Sequence, residues 1–254
     1  MEPILKVNDL TKVFTRAGQP DFTAVNHISF DLYLGECLGL IGESGSGKST
    51  TVNMITRLLD ASEGSIVLDG EDITNASGGE LRKAYRKMQM VFQTPTDSFD
   101  PRRTLGDGIG ESLRNSGLSR AETKREVAKL LTDCGLTPEF AGRYPHQVSG
   151  GQCQRAAIAR ALAIRPKLLI CDEATSALDV TIQQEILALL NDLRSRHGTG
   201  LSILFICHDI ALVQRFCDRV LVMYKGDIVE QGRPDDVIRN PKDKYTKRLI
   251  ESIL

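Results

Sequence analysis

The segment Gly42-Glu43-Ser44-Gly45-Ser46-Gly47-Lys48-Ser49 constrains this chain more than any other. It satisfies G-x-x-x-x-G-K-[ST], which a chain of this length meets by chance about one time in a hundred at average residue usage. Glycines at these positions let successive backbone N–H groups turn toward a phosphate with no side chain in the way. Lys48 adds a full positive charge for β- and γ-phosphates, and Ser49 adds a hard oxygen ligand for Mg²⁺. A helix beginning here, with Thr50 in its first turn, lends its free N–H groups and positive end. The motif requires a strand before it and a helix after it. Cys37 to Ile41 is a short apolar run, and Val52, Ile55, Leu58 and Leu59 share one helical face.

The rest of the chain extends that strand–loop–helix unit. Ile28 to Leu32 alternates apolar and polar residues, and Ser65 to Gly70 reads as a strand closed by a turn. Turn residues dominate from Thr94 to Arg103, and helical patterns then run to about Ile164. One begins at Ser119-Arg120-Ala121-Glu122, a capping-box spacing, with Val127, Leu130, Leu131 and Cys134 as its apolar face. An Ala-rich helix follows Ser149-Gly150-Gly151. Strand patterns return at Leu168–Cys171, Leu201–Cys207 and Val220–Tyr224, with a helix marked by Ile182, Ile186, Leu189, Leu190 and Leu193 between the first two. This rhythm predicts a mainly parallel α/β sheet with an all-helical lobe inserted in it.

Composition excludes several classes. At 254 residues, 41% apolar and 26% charged, the chain has an ordinary globular make-up. A formal charge of -1 argues against a nucleic-acid partner. Cys37, Cys134, Cys153, Cys171, Cys207 and Cys217 form no C-x-x-C pair and are expected as buried hydrophobes in a reducing, intracellular setting. Met1 to Lys6 lacks a secretory pattern, and no apolar run approaches the ~20 residues of a membrane span. Any membrane role must therefore come through a partner.

Leu168-Leu169-Ile170-Cys171-Asp172-Glu173 is an apolar strand ending in two acids. In a parallel sheet ligands gather at the carboxyl ends of strands. Asp172 would face Mg²⁺, and Glu173, one residue on, would approach a water beyond the γ-phosphate and orient or deprotonate it. Alone the pair would read as an ordinary polar strand end; the phosphate loop gives it a task.

Val148-Ser149-Gly150-Gly151-Gln152 resembles the signature motif of ATP-binding-cassette (ABC) proteins, with Val148 where leucine is usual. The phosphate loop, this segment and Asp172-Glu173 occur in that family's order. Ser176-Ala177-Leu178-Asp179 resembles its D-loop, His208 its switch histidine and Gln93 its Q-loop glutamine, which would contact Mg²⁺ or water. Phe14 sits where the family places an adenine-stacking aromatic, although a core aromatic is the competing reading. Independently of the family, Ser149-Gly150-Gly151 opens a second helix N-terminus suited to phosphate, or is a plain helix cap.

The resemblance implies an α/β fold: a P-loop NTPase core with an N-terminal antiparallel β subdomain and an inserted helical lobe. The expected division is core over 1–93 and 165–235, lobe over 94–164 and tail over 236–254. It implies a MgATP hydrolase, peripheral at the cytoplasmic face of a membrane. Its partners would be membrane permease subunits, a second ABC ATPase chain (same or different) in a head-to-tail dimer and, indirectly, a substrate-binding protein. Gln93-Thr94-Pro95 with Asp100-Pro101-Arg102, and the tail around Tyr245-Thr246, resemble ATPases of oligopeptide, dipeptide and nickel importers. Peptides and nickel or other metal chelates both stay open as cargo. Many members add a Cys-bearing extension tied to an iron–sulfur cluster; with Cys217 as the last cysteine, no cluster is expected. The alternative is a soluble assembly or scaffold ATPase of the same class.

Overall fold

The computed structural model describes residues 2–15, 18, 20–174, 179–196 and 200–251. The chain opens with β1 (Pro3–Phe14), β2 (Phe22–Tyr33) and β3 (Cys37–Ile41), and α1 (Lys48–Ile55) follows the phosphate loop. Next come β4 (Glu63–Leu68), β5 (Glu71–Asp72), α2 (Gly78–Lys87) and β6 (Met88–Val91). Between β6 and the next strand lie α3 (Leu105–Asn115), α4 (Arg120–Asp133) and α5 (Gly150–Leu162), with a short 3₁₀ turn before α3 and two between α4 and α5. The chain then alternates through β7 (Leu168–Asp172), α6 (Val180–Arg196), β8 (Ser202–Ile206), α7 (Ile210–Phe216) and β9 (Arg219–Tyr224). It closes with β10 (Asp227–Gly232), α8 (Pro234–Arg239) and α9 (Lys244–Glu251).

The architecture is α/β, with a P-loop NTPase core, an N-terminal antiparallel sheet and a helical insertion, as expected. The antiparallel sheet has the order β2-β1-β4-β5, and the six-stranded sheet the order β10-β9-β3-β8-β7-β6. In the larger sheet β9, β3, β8, β7 and β6 are parallel neighbours, and β10 adds an antiparallel edge.

The apolar runs of the parallel strands follow from burial on both faces. Leu38, Leu40, Leu168, Ile170, Leu204, Ile206, Leu221 and Met223 point into a core shared with β1, β2, β4 and α1. Their alternate neighbours Cys37, Ile41, Leu169, Cys171, Ile203, Phe205, Val220 and Val222 enter a second core built with α3 to α7. Gly39 keeps that face thin: a Cβ there would stand 3.0 Å from Val213 and 3.1 Å from Cys217, so α7 lies close on β3.

The helix after the phosphate loop is shorter than its apolar spacing predicts. It ends at Ile55, Arg57 turns left-handed (φ 58°), and Leu58 is 61% exposed. Leu58 therefore leaves the face that Val52 and Ile55 bury. The α4 cap forms as read: Ser119 Oγ accepts the Glu122 N–H, and Glu122 Oε2 accepts the Ser119 N–H.

Candidate active site

Parallel pairing decides where the polar residues meet. β3, β6, β7 and β8 all point their carboxyl ends one way, and each of those ends delivers a residue singled out in the sequence. β3 delivers the phosphate loop, β6 delivers Gln93, β7 delivers Asp172 and Glu173, and β8 delivers His208.

The loop takes its shape from its glycines and neighbours. Gly42, Gly45 and Gly47 have φ of 151°, 80° and 110°. A Cβ on Gly42 would lie 2.2 Å from the Met223 carbonyl oxygen, and one on Gly47 would lie 2.6 Å from that of Ala24. Glycine is required at both because backbone closes over them from β9 and β2. The Gly226 N–H donates to the Ser46 carbonyl at 2.9 Å, and the Asn26 N–H donates to that of Gly226 at 2.9 Å. Glu43 and Ser44 are exposed, while Ser46 is buried with no partner for its Oγ among the described residues. α1 starts at Gly47 without a side-chain cap, which leaves its first-turn N–H groups to a ligand. Ser49 and Thr50 occupy that turn, Ser49 exposed and Thr50 half-buried.

Lys48 is buried, and its Nζ donates to the carbonyls of Gly42 (2.6 Å) and Glu43 (2.9 Å). Burial lowers its pKa, opposed by the nearby Glu173 and Asp172 carboxylates. Asp172 shows the mirror image: burial and the Glu173 charge raise its carboxyl, and Lys48 lowers it. Asp172 Oδ1 is buried and has no hydrogen-bond partner among the described residues.

Glu173 leaves β7 in the left-handed region (φ 46°), with its N–H donated to Ile206 at 3.1 Å. For a non-glycine residue that conformation is uncommon and costs energy. It accompanies a carboxylate that accepts Gln93 Nε2 at 3.0 Å and lies 3.9 Å from His208 Nδ1. The structure thus brings Lys48, Gln93, Asp172, Glu173 and His208 into one site.

Other expected residues lie apart from this group. Ser149 caps α5: its Oγ accepts the Gln152 N–H at 3.3 Å, and Gln152 Oε1 accepts the Ser149 N–H at 3.0 Å. Ser149 and Gly150 are exposed, and no hydrogen bond among the described residues joins them to the phosphate loop. Gly151 is buried, and a Cβ there would meet Ile182 at 2.7 Å, so it lets α5 and α6 cross closely. Asp179 caps α6 through an Oδ1 that accepts the Ile182 N–H at 3.0 Å; Ser176, Ala177 and Leu178 lie outside the described residues. Phe14 ends β1, 37% exposed, with Lys12 Nζ 5.3 Å from its ring centre and Phe22 directly across on β2.

Sequence patterns did not find Met223, whose carbonyl closes on Gly42, or Tyr245, whose hydroxyl accepts the Glu43 N–H at 2.9 Å. Both contacts span the length of the chain and leave no local signal.

A family model described as ABC transporter matches residues 25–176. The glutathione import ATP-binding protein GsiA of Salmonella paratyphi A (strain ATCC 9150 / SARB42) is 47% identical over 99% of this chain and 41% of the relative. GsiA of Escherichia coli O157:H7 is 48% identical over the same shares. The chain thus spans about two fifths of the length of the curated relatives it matches, 41%. Among solved structures, cbiO1 from Clostridium perfringens, part of the transporter complex cbiONQ, aligns with TM-score 0.83 and 29% identity over 100% of this chain and 96% of its own. The dimeric post-hydrolysis state of the cassette MJ0796, bound to ADP and Pi, aligns with TM-score 0.81 and 30% identity over 91% and 98%.

Proposed function

Because this chain belongs to the ABC transporter family, we propose that it is the ATP-binding and hydrolysing subunit of an importer, with small peptides as the favoured cargo. The observation that carries this reading is the convergence of Lys48, Gln93, Asp172, Glu173 and His208 at the carboxyl ends of four parallel strands. The peptide class rests on the import relatives and on the resemblance around Asp100-Pro101-Arg102 and Tyr245-Thr246. Nickel or another metal chelate is the second cargo class. A soluble scaffold ATPase draws no support from relatives named as import proteins.

In this reading the ATP phosphates lie along the loop from Gly42 to Thr50 and on the α1 N-terminus, and Phe14 stacks on the adenine. Phosphate oxygens replace the Gly42 and Glu43 carbonyls at Lys48, whose ammonium becomes their counter-ion. Ser49, Asp172 and Gln93 would hold Mg²⁺, and the orphaned, buried Asp172 Oδ1 fits a cation. Bound there, Mg²⁺ would neutralise charge on the phosphates. Glu173 orients the attacking water and takes its proton as oxygen adds to the γ-phosphorus and the bond to ADP breaks. Gln93 donates to the Glu173 carboxylate, and His208 stands beside it.

The turn Ser149-Gly150-Gly151-Gln152, exposed at Ser149 and Gly150, and Asp179 would close over ATP held by a second ABC chain in a head-to-tail dimer, a pairing in keeping with the dimeric MJ0796 cassette. The division follows from this: core over 1–93 and 165–235, lobe over 94–164 and tail over 236–254. The lobe and the Q-loop that carries Gln93 grip the membrane permease, which would hold the chain at the cytoplasmic face and work with a substrate-binding protein. No described helix is long and apolar enough to cross a membrane.

The test uses Glu173→Gln. Hydrolysis should fall about 100-fold or more, the scale of a lost general base, while MgATP binding persists. Tagged, expressed in its native cell and recovered from gently solubilised membranes with MgATP, this variant should bring down a polytopic membrane protein. Undiminished hydrolysis would remove Glu173 from its role, and recovery of soluble factors alone would favour the scaffold reading.

A further inference from the structure

The C-terminal helix reaches the phosphate loop through the Tyr245 side chain. Glu230 on β10 accepts the N–H groups of Lys242 at 2.9 Å and Asp243 at 3.0 Å, which fixes the approach to α9. Asp243 Oδ1 then accepts the Tyr245 N–H at 2.7 Å. The Tyr245 ring is buried and stacks on Tyr224, at the end of β9, with centroids 4.0 Å apart. Leu249 and Ile250 sink into the core and hold the helix down. The result of this chain of contacts is a phenolic oxygen 2.9 Å from the Glu43 nitrogen, the second residue of the loop.

We propose that Tyr245 is a positioning residue for the phosphate loop, so that the affinity for ATP depends on docking of the C-terminal helix; this rests on the nucleotide reading above. The Glu43 peptide is held on both sides. Its carbonyl accepts Lys48 Nζ at 2.9 Å and the Ser46 N–H at 3.2 Å, and its N–H goes to Tyr245. A phosphate draws Lys48 away from that carbonyl. The Tyr245 bond uses a different atom and does not compete for Lys48, so it steadies the start of the loop when the lysine is engaged. Burial raises the phenol above its ordinary value, and the hydroxyl is neutral at physiological pH as any unperturbed phenol is. The docked tail thereby supplies part of the loop's preorganisation, and a loosened tail weakens ATP binding without touching the hydrolytic residues.

Tyr245→Phe separates this role from packing, because it keeps the ring on Tyr224 and removes one hydrogen bond. Titration with a fluorescent ATP analogue and Mg²⁺ should give a Kd raised about 3- to 10-fold, the worth of one hydrogen bond. The kcat at saturating ATP should stay within about twofold, and Tm should fall by no more than about 4 °C, the effect of one hydrogen bond on a chain of this size. Hydrogen exchange at the Glu43 amide, read without nucleotide, should accelerate. A wild-type Kd in Tyr245→Phe, or a fall in kcat and Tm together, would overturn the proposal and leave Tyr245 as a packing residue. If the wild-type chain bound no MgATP, the nucleotide reading would fail instead, and the Glu43 exchange rate would still decide whether Tyr245 holds the loop.

Discussion

The starts of α1 and α5 are both glycine-bearing helix N-termini, yet they are completed in opposite ways. At α1 no side chain caps the helix, and the turn is shaped by neighbours: the carbonyls of Met223 and Ala24, the N–H of Gly226 and the hydroxyl of Tyr245. At α5 the helix caps itself, with Ser149 and Gln152 each satisfying the other's backbone. An uncapped N-terminus leaves donors for a ligand, and the fold must stabilise it from outside. A self-capped, exposed one stands without help and is free to meet a second chain. In the proposed dimer, the first would be a site within one chain and the second a site only in the pair.

Substitutions at the two ends should break this comparison or sharpen it. The largest effect is expected from Gly42→Ala, whose new Cβ would stand 2.2 Å from the Met223 carbonyl at φ 151°. Backbone cannot give way cheaply there. MgATP binding should weaken more than about 100-fold as the loop N–H groups lose their aim, with a stability loss of roughly 2–3 kcal/mol. Calorimetric titration and a thermal melt read the two effects. Wild-type affinity would mean that neighbours do not set the loop. Ser149→Ala should act more weakly and elsewhere. Losing the cap costs about 1 kcal/mol. ATP affinity of the isolated subunit should not change, while hydrolysis by the assembled pair falls about 10-fold through a lost hydrogen bond to phosphate. Weaker binding by the isolated subunit would show that the two ends are not independent.

How legible each region was in the sequence follows the same division. The parallel strands read directly as apolar runs because they are buried on both faces. The capping box at Ser119 read directly because cap and partner lie three residues apart, whereas Ser149 read only as a helix N-terminus or a plain cap. β1 and β2 were legible only in part: several register shifts interrupt their pairing, so strict alternation holds only over a stretch such as Ile28 to Leu32. α2 buries only Ala84 and has no apolar stripe to find. Leu58 fitted a helical face that the left-handed Arg57 ends. The motif residues Lys48, Asp172 and Glu173 were legible as chemistry. Tyr245 was not, because its partner Glu43 is distant in sequence and the contact exists only once β9, β10 and α9 are assembled.

The smallest expected effect concerns the electrostatic cost of the α1 site, which the α5 start does not carry. Asp172 is held above its ordinary value of 3.8, chiefly by burial and then by Glu173. In the window from pH 3.8 upward to its folded value, the native chain keeps a proton that the unfolded chain has lost. Unfolding then releases a proton, so stability without nucleotide falls as pH rises through that window and stays lowered above it. Asp172→Asn removes the titrating group. Its slope of Tm against pH in that window should flatten, and at neutral pH its Tm should exceed wild type in a thermal melt. Mg²⁺ with ATP should reverse the order, stabilising wild type by ligand linkage and the variant much less. An Asp172→Asn protein that melts below wild type at neutral pH without nucleotide would mean that the ionised carboxylate is already well served by Lys48, and that the α1 site, like the α5 cap, is satisfied before any ligand arrives.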